Sequence, residues 1–199
     1  YQKIIERYEQ KSSDEKLFMF DVTMQNHGSY VKRYSNFIPD VSILGGKGTY
    51  LKATEQYLSL IKRSDEAFKQ LVDYFEKQSE PTIIMMFGDH QPGDAVVRSL
   101  YTSVGQTYPP ESFEDQYKRY IVPFFLWANF DIEEKDDVTI SANYLSTLLC
   151  EVAGVELTPQ MKYLSELYEK YPVLNANGYI DSDGNLFSAD KINENNDLT

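Results

Sequence analysis

A carboxylate and an imidazole stand side by side at Asp89-His90, and the other of the chain's two histidines, His27, also follows an apolar run. Imidazole and carboxylate together suit a divalent transition metal such as zinc or manganese. Adjacent residues of a regular strand face opposite ways, but beyond Gly88 the chain can turn so that both side chains point at one ion. A plainer arrangement has Asp89 capping a turn and His90 hydrogen-bonding to backbone, and the dipeptide alone leaves both open. His27 adds to the metal-site reading, because convergent polar groups at a sheet edge are the pattern of a ligand pocket. A metal would also reconcile an acidic protein with an anionic substrate, its charge inverting the local field. Cys150, the single cysteine, lies in an apolar helix face and reads as a packed core thiol, not a nucleophile.

Two strands have to position these groups. The run Thr82 to Phe87 follows Pro81 without a charge, as in a strand buried on both faces. Gly88 breaks that pattern and Pro92 stops a simple continuation, leaving Asp89 and His90 at the strand's C-terminal end, the edge where α/β sheets bind ligands. Leu17 to Met24 reads as a second strand running into the polar turn that holds His27. If the two strands are close neighbours in one sheet, His27 comes within about 10 Å of His90, the scale of a small pocket. Between them, Thr54 to Gln78 is the clearest helix, with Leu58, Ile61, Phe68, Leu71, Val72 and Phe75 near helical spacing and Asp65 interrupting the stripe. Strand, helix, strand is a βαβ-like order, although the loop from Val31 to Thr49 leaves parallel pairing open.

The remaining chain offers a helix at Tyr1 to Lys11, an irregular stretch from Gly93 to Pro110 and a short helix near 111–119. A third strand at Tyr120 to Ala128 is interrupted by Pro123. Ser141 is placed to cap a helix that Gly154 stops, and Thr158-Pro159 opens another that ends near Lys170. Asn177-Gly178 reads as a turn, and Tyr179-Ile180 with Leu186-Phe187 as a hairpin. Asp181 to Asn185 fails as a calcium loop, because its glycine is one place early and the closing Glu is missing. Leu44 to Thr49 fails as a phosphate loop, with Val41 where the first glycine should stand.

The chain is long enough for one domain with a real core, taken as residues 1–188 followed by a polar tail, 189–199. Its formal net charge of −12 and lack of a Lys/Arg cluster argue against nucleic acid or an anionic membrane surface as partner. No apolar run is long enough to span a bilayer.

The segments Val22 to Tyr30, Tyr57 to Asp65 and Phe87 to Pro92 together resemble the lipoteichoic acid synthase-like sulfatases of the alkaline phosphatase superfamily. Pro123 to Asn129 and Pro172 to Tyr179 also look like family segments, so the resemblance covers nearly the whole chain. It implies an α/β fold, a sulfatase-like sheet flanked by helices, here without the N-terminal part of the domain. It implies that Asp89 and His90 ligate the catalytic metal, usually Mn2+ in the synthases, with Zn2+, Mg2+ and Ca2+ as alternatives. His27 is then expected to face the phosphate or glycerol of an anionic lipid head group. The family's chemistry is a two-step transfer, in which a threonine takes a phosphoglycerol group and passes it to a polymer hydroxyl or to water. That threonine and a further acidic ligand are expected upstream of Tyr1, as is a membrane anchor that makes the parent protein extracytoplasmic. On this reading the chain is the C-terminal portion of a catalytic domain, inactive alone and with a sheet edge through which it could dimerise. Two competitors remain: a sulfuric-ester hydrolase, and a non-catalytic binding module at the cell surface.

Overall fold

The computed structural model describes residues 1–46 and 48–194, which fall into two compact units. One comprises residues 1–82 and 89–111, the other residues 83–88 and those from 112 onward. The chain passes between them at the Gly88-Asp89 peptide, so the central strand belongs to the second unit and Asp89 and His90 to the first.

The first unit is built on helix α2 (Leu51–Phe75), with α1 (Gln2–Gln10) and α3 (Asp94–Ser103) packed against it. Aromatic edges join α1 to the end of α2, with Tyr8 5.1 Å from the Phe75 ring and Tyr1 6.0 Å from Phe68. The almost buried Lys11 ammonium pairs with Glu80 at 2.8 Å, and this hydrogen bond holds the Glu80 carboxyl below the usual carboxylate range. At its other end α2 buries Ala53, Thr54, Gln56 and Ser59, a small and polar face that apolar periodicity does not reveal. Ile61 and Asp65, both placed on the expected stripe, are exposed. Thr54 Oγ1 donates to the Val96 carbonyl at 3.0 Å, tying α2 to α3. Helix α3 corrects the expectation of an irregular stretch from 93 to 110. Asp94 favours its first turn, and Val96 and Val97 bury against α2.

The expected strand Leu17–Met24 does not form. The segment has no regular secondary structure and enters no ladder with another described residue, and Phe18 and Phe20 are 77% and 71% exposed. A strand is defined by the neighbour that satisfies its backbone groups, and here there is none. The βαβ-like unit falls with it.

In the second unit β1 (Ile83–Phe87) pairs antiparallel with β2 (Phe124–Ala128), Ile83 opposite Ala128 and Phe87 opposite Phe124. β2 starts just after Pro123, whose carbonyl accepts from Gly88 N–H at 3.1 Å. With one partner strand, β1 is half-buried along most of its length rather than buried on both faces. Gly88 is needed for close approach: a Cβ there would lie 3.0 Å from Val122 Cβ. A short helix, α4 (Phe113–Tyr117), precedes β2 and is capped by Ser112.

Helices α5 (Ala142–Val152) and α6 (Pro159–Lys170) pack together, with Tyr144 5.5 Å from the Tyr168 ring. Thr158 caps α6 as expected, accepting from Met161 N–H at 3.2 Å. Ser141 occupies the N-cap position of α5 but makes no cap bond. Its hydroxyl instead donates to Leu174 O at 2.9 Å and accepts from Leu174 N–H at 2.7 Å, holding a strand that sequence reading missed. That strand, β3 (Val173–Asn175), forms an antiparallel meander with β4 (Gly178–Ile180) and β5 (Leu186–Ser188). The expected hairpin is therefore present with one strand more. Asp181 Oδ1 accepts from the N–H groups of Asp183 and Asn185, so the carboxylate serves the turn. Cys150 is half-buried in α5. The tail begins with a short 3-10 helix at Ala189–Glu194, and residues 195–199 of the expected polar tail lie outside the described residues. Helix and sheet are thus mixed, as an α/β class requires.

Candidate functional site

Asp89 and His90 follow β1 after Gly88, in a bend that faces solvent: their side chains are 83% and 73% exposed. Asp89 Oδ1 accepts from the His90 backbone N–H at 2.8 Å, and His90 Nδ1 lies 2.8 Å from the Gln91 carbonyl. These are the contacts of the plainer turn-capping arrangement. They also have a chemical consequence. A carbonyl oxygen can only accept, so Nδ1 must carry the proton and a neutral ring keeps its lone pair on Nε2. That lone pair sits 3.5 Å from Asp89 Oδ2, another acceptor. Both atoms are open to solvent, and a carboxylate beside an imidazole is a donor pair of the kind that can ligate one ion.

His27 lies in the turn after the run 17–24, its backbone N–H donating to Met24 O at 3.1 Å. Its Nδ1 faces the Gly28 carbonyl at 3.0 Å, so in the neutral ring Nε2 is again the acceptor. His27, Asp89 and His90 all belong to the first unit. The Tyr30 hydroxyl donates to Asn26 O, and its pKa is raised by burial, by Tyr57 and by the Asp89 charge.

His27 and Tyr30 line a surface cleft of about 530 Å³, completed by Tyr34, Asn36, Phe37, Gln56 and Arg63 among others. Apart from His27, sequence reading assigned none of these a role. The wall from 34 to 37 is irregular chain held by the polar face of α2. Ser59 Oγ accepts from Asp40 N–H at 3.1 Å and Val41 N–H at 3.0 Å, and donates to Glu55 O at 2.7 Å. Gln56 Nε2 donates to Lys32 O at 3.0 Å, and Glu55 Oε1 accepts from Ile43 N–H at 3.2 Å. Ser59→Ala is therefore expected to destabilise the protein by about 2 kcal/mol, since two N–H groups lose their acceptor. Denaturant titration reads the loss, and hydrogen exchange should localise it to Asp40 and Val41. Unchanged exchange at both would show that Ser59 does not hold the loop.

Among the described residues no group of three or more His, Cys, Asp or Glu side chains is arranged to hold a metal ion. No helix among them is long and apolar enough to cross a membrane.

A family model described as Sulfatase matches residues 1–155. The chain is 30% identical over 172 residues to a Rhizobium meliloti protein whose name refers to cyclic beta-1,2-glucan modification, covering 81% of this chain and 26% of that one. It is 29% identical over 90 residues to the capsular polysaccharide biosynthesis protein RkpI of the same organism, covering 45% and 14%. An uncharacterized Haemophilus influenzae protein is 23% identical over 144 residues, covering 71% and 24%. The chain thus spans about a quarter or less of the length of these relatives (26%, 14% and 24%). No solved structure matches it significantly.

Proposed function

Since the chain belongs to the sulfatase family, we propose that it is part of a larger extracytoplasmic enzyme that transfers or hydrolyses a phosphoester, with Asp89 and His90 holding its metal ion. The observation that carries this reading is the facing pair of acceptors, His90 Nε2 and Asp89 Oδ2, 3.5 Å apart and open to solvent. Carboxylate and imidazole ligands lie roughly 2.0–2.2 Å from an ion such as zinc, so both atoms can reach one ion. The carbonyl of Gln91 fixes the ring tautomer that ligation needs, a supporting role that metal-binding histidines commonly require. Manganese is the ion the family resemblance favours, with zinc, magnesium and calcium as alternatives. A bound ion would supply Lewis-acid polarisation of the ester.

His27 lines the cleft and is proposed to meet the substrate, not the metal. Within the family reading the donor is a phosphoglycerol head group and the acceptor a glycopolymer hydroxyl or water. The names of the two Rhizobium meliloti relatives, which refer to a modified glucan and a capsular polysaccharide, support the glycopolymer. The attacking threonine of the family pattern corresponds to no residue of this chain.

The test is turnover by the intact parent protein, with manganese, of a chromogenic phosphodiester beside the matching sulfate ester. Manganese-dependent phosphodiester turnover is expected. Preference for the sulfate ester would make the enzyme a sulfuric-ester hydrolase, and metal-free protein with no turnover of either would favour a binding module.

A further inference from the structure

We propose that the apolar tips of the loop before α2, Val31, Ile38 and Leu44, together with Lys32, Arg33 and Lys52, form a docking surface for an anionic lipid bilayer. Binding to lipid does not rest on the transferase reading. Val31 is 62%, Ile38 81% and Leu44 97% exposed. One open apolar residue says nothing, but these three are gathered at one place. The carbonyl of Lys32, next to Val31, is held by Gln56. The N–H of Asp40, two residues after Ile38, is held by Ser59, and that of Ile43, next to Leu44, by Glu55. Positions 55, 56 and 59 of a helix lie within about 6 Å along its axis, roughly one turn. The three tips therefore spring from one turn of α2. Local geometry also pushes Leu44 outward. Gly46 N–H donates to Ile43 O at 3.1 Å and Gly45 has φ +70°, so Leu44 is a corner residue of a tight turn that the following glycine permits.

Charge selects the partner. Among the described residues Lys32, Arg33 and Lys52 enter no ion pair, and the Lys32 ammonium stands 5.6 Å from the centre of the Tyr34 ring. Lys52 lies one turn before Glu55 and Gln56 on α2. The acids of this region are already engaged, Asp40 by Lys62 at 2.8 Å and Arg63 at 3.0 Å, and Glu55 by the Ile43 N–H. The patch is therefore locally cationic although the whole chain carries −12. Salt screens charge over roughly 8–10 Å, so at contact the local cations outweigh the remote acids. No run of Lys and Arg marks this patch in the sequence, because the fold collects it. Apolar tips beside cations are the make-up of surfaces that enter the boundary between lipid head groups and acyl chains, and the amphipathic Tyr34 ring suits the same depth.

The test is cosedimentation of the 199-residue chain, without added metal, with vesicles of phosphatidylcholine alone or with about one-third phosphatidylglycerol. Binding to the anionic vesicles is expected, roughly tenfold tighter or more than to the neutral ones and weakened by salt. Ile38→Asp and Leu44→Asp, both on open side chains, should each weaken it about fivefold or more, and Lys32→Glu with Arg33→Glu about tenfold or more, with circular dichroism unchanged. Val155→Asp, at an exposed valine of the other unit, should change nothing. No binding to anionic vesicles, or full binding by both Ile38→Asp and Leu44→Asp, would overturn the docking surface. Release by excess glycerol 3-phosphate would move the binding to recognition of a single head group and overturn it as well. Self-association without vesicles that Leu44→Asp abolishes would give the face to a second copy of the chain instead of lipid. Asp89→Ala should bind vesicles like the unsubstituted chain, so a failed transferase reading and a failed docking surface are read separately.

Discussion

Alanine at Asp89 or at His90 in the intact parent protein is expected to lower turnover roughly 10³-fold or more and to remove the metal with it. A catalytic ion supplies several kcal/mol of charge stabilisation to the transition state, and about 4 kcal/mol corresponds to three decades in rate. Losing either donor leaves the other to hold the ion by itself at this exposed bend, where the Gln91 carbonyl supports the His90 ring. His27→Ala should behave differently. Its imidazole meets the cleft and not the Asp89-His90 pair in the proposed assignment, so the metal stays and turnover falls by about 10- to 100-fold, the scale of a lost positioning or proton-transfer contact. Metal content measured beside kcat/KM on the three variants separates these outcomes. Equal metal in all three would refute the ligand assignment, and metal loss in His27→Ala would move that residue to the ion.

The parts of this arrangement that could be read from sequence are those written in local chemistry. Pro81 and the uncharged run after it mark β1, and Thr158-Pro159 marks the start of α6, while of the strand expected from Tyr120 to Ala128 only the part after Pro123 forms. The Gly-Asp-His bend after β1 was legible for the same reason, because a glycine that must lie against Val122 interrupts the strand beside two ligating residue types. What escaped notice depends on partners distant in sequence. Leu17–Met24 has a strand's composition but no edge to pair with, and composition cannot supply one. The cleft was invisible because its wall is irregular chain hung on Ser59, Glu55 and Gln56, polar residues that a search for apolar helix faces passes over. The short strand β3 is stabilised by Ser141, more than thirty positions away in sequence, through a hydroxyl that local reading spends on a helix cap. The available signal was the cluster of polar residues on one side of α2, facing a glycine-rich loop.

The 199-residue chain assayed alone is expected to turn over neither a phosphodiester nor a sulfate ester, with or without manganese. Catalysis of this kind needs an activated nucleophile and an ion held by enough ligands to fix its geometry. Asp89 and His90 provide two donors, and no group of three or more acidic, His or Cys side chains is assembled among the described residues. An ion held by two exposed ligands would fill its other positions with water and exchange freely. The family resemblance assigns the nucleophile to no residue of this chain. Ser29 lies on the cleft wall near His27 but carries neither of the marks of activation, a helix N-terminus or a base within hydrogen-bond reach. Cys150 sits half-buried in α5, in the other unit. The assay places the purified chain beside the parent protein at equal concentration, with circular dichroism confirming that the chain is folded. Turnover by the parent alone is the expected result. Metal-dependent turnover by the folded chain would show that a third ligand and a nucleophile lie within these residues, and Asp89→Ala in that chain would then show whether the activity runs through the proposed site.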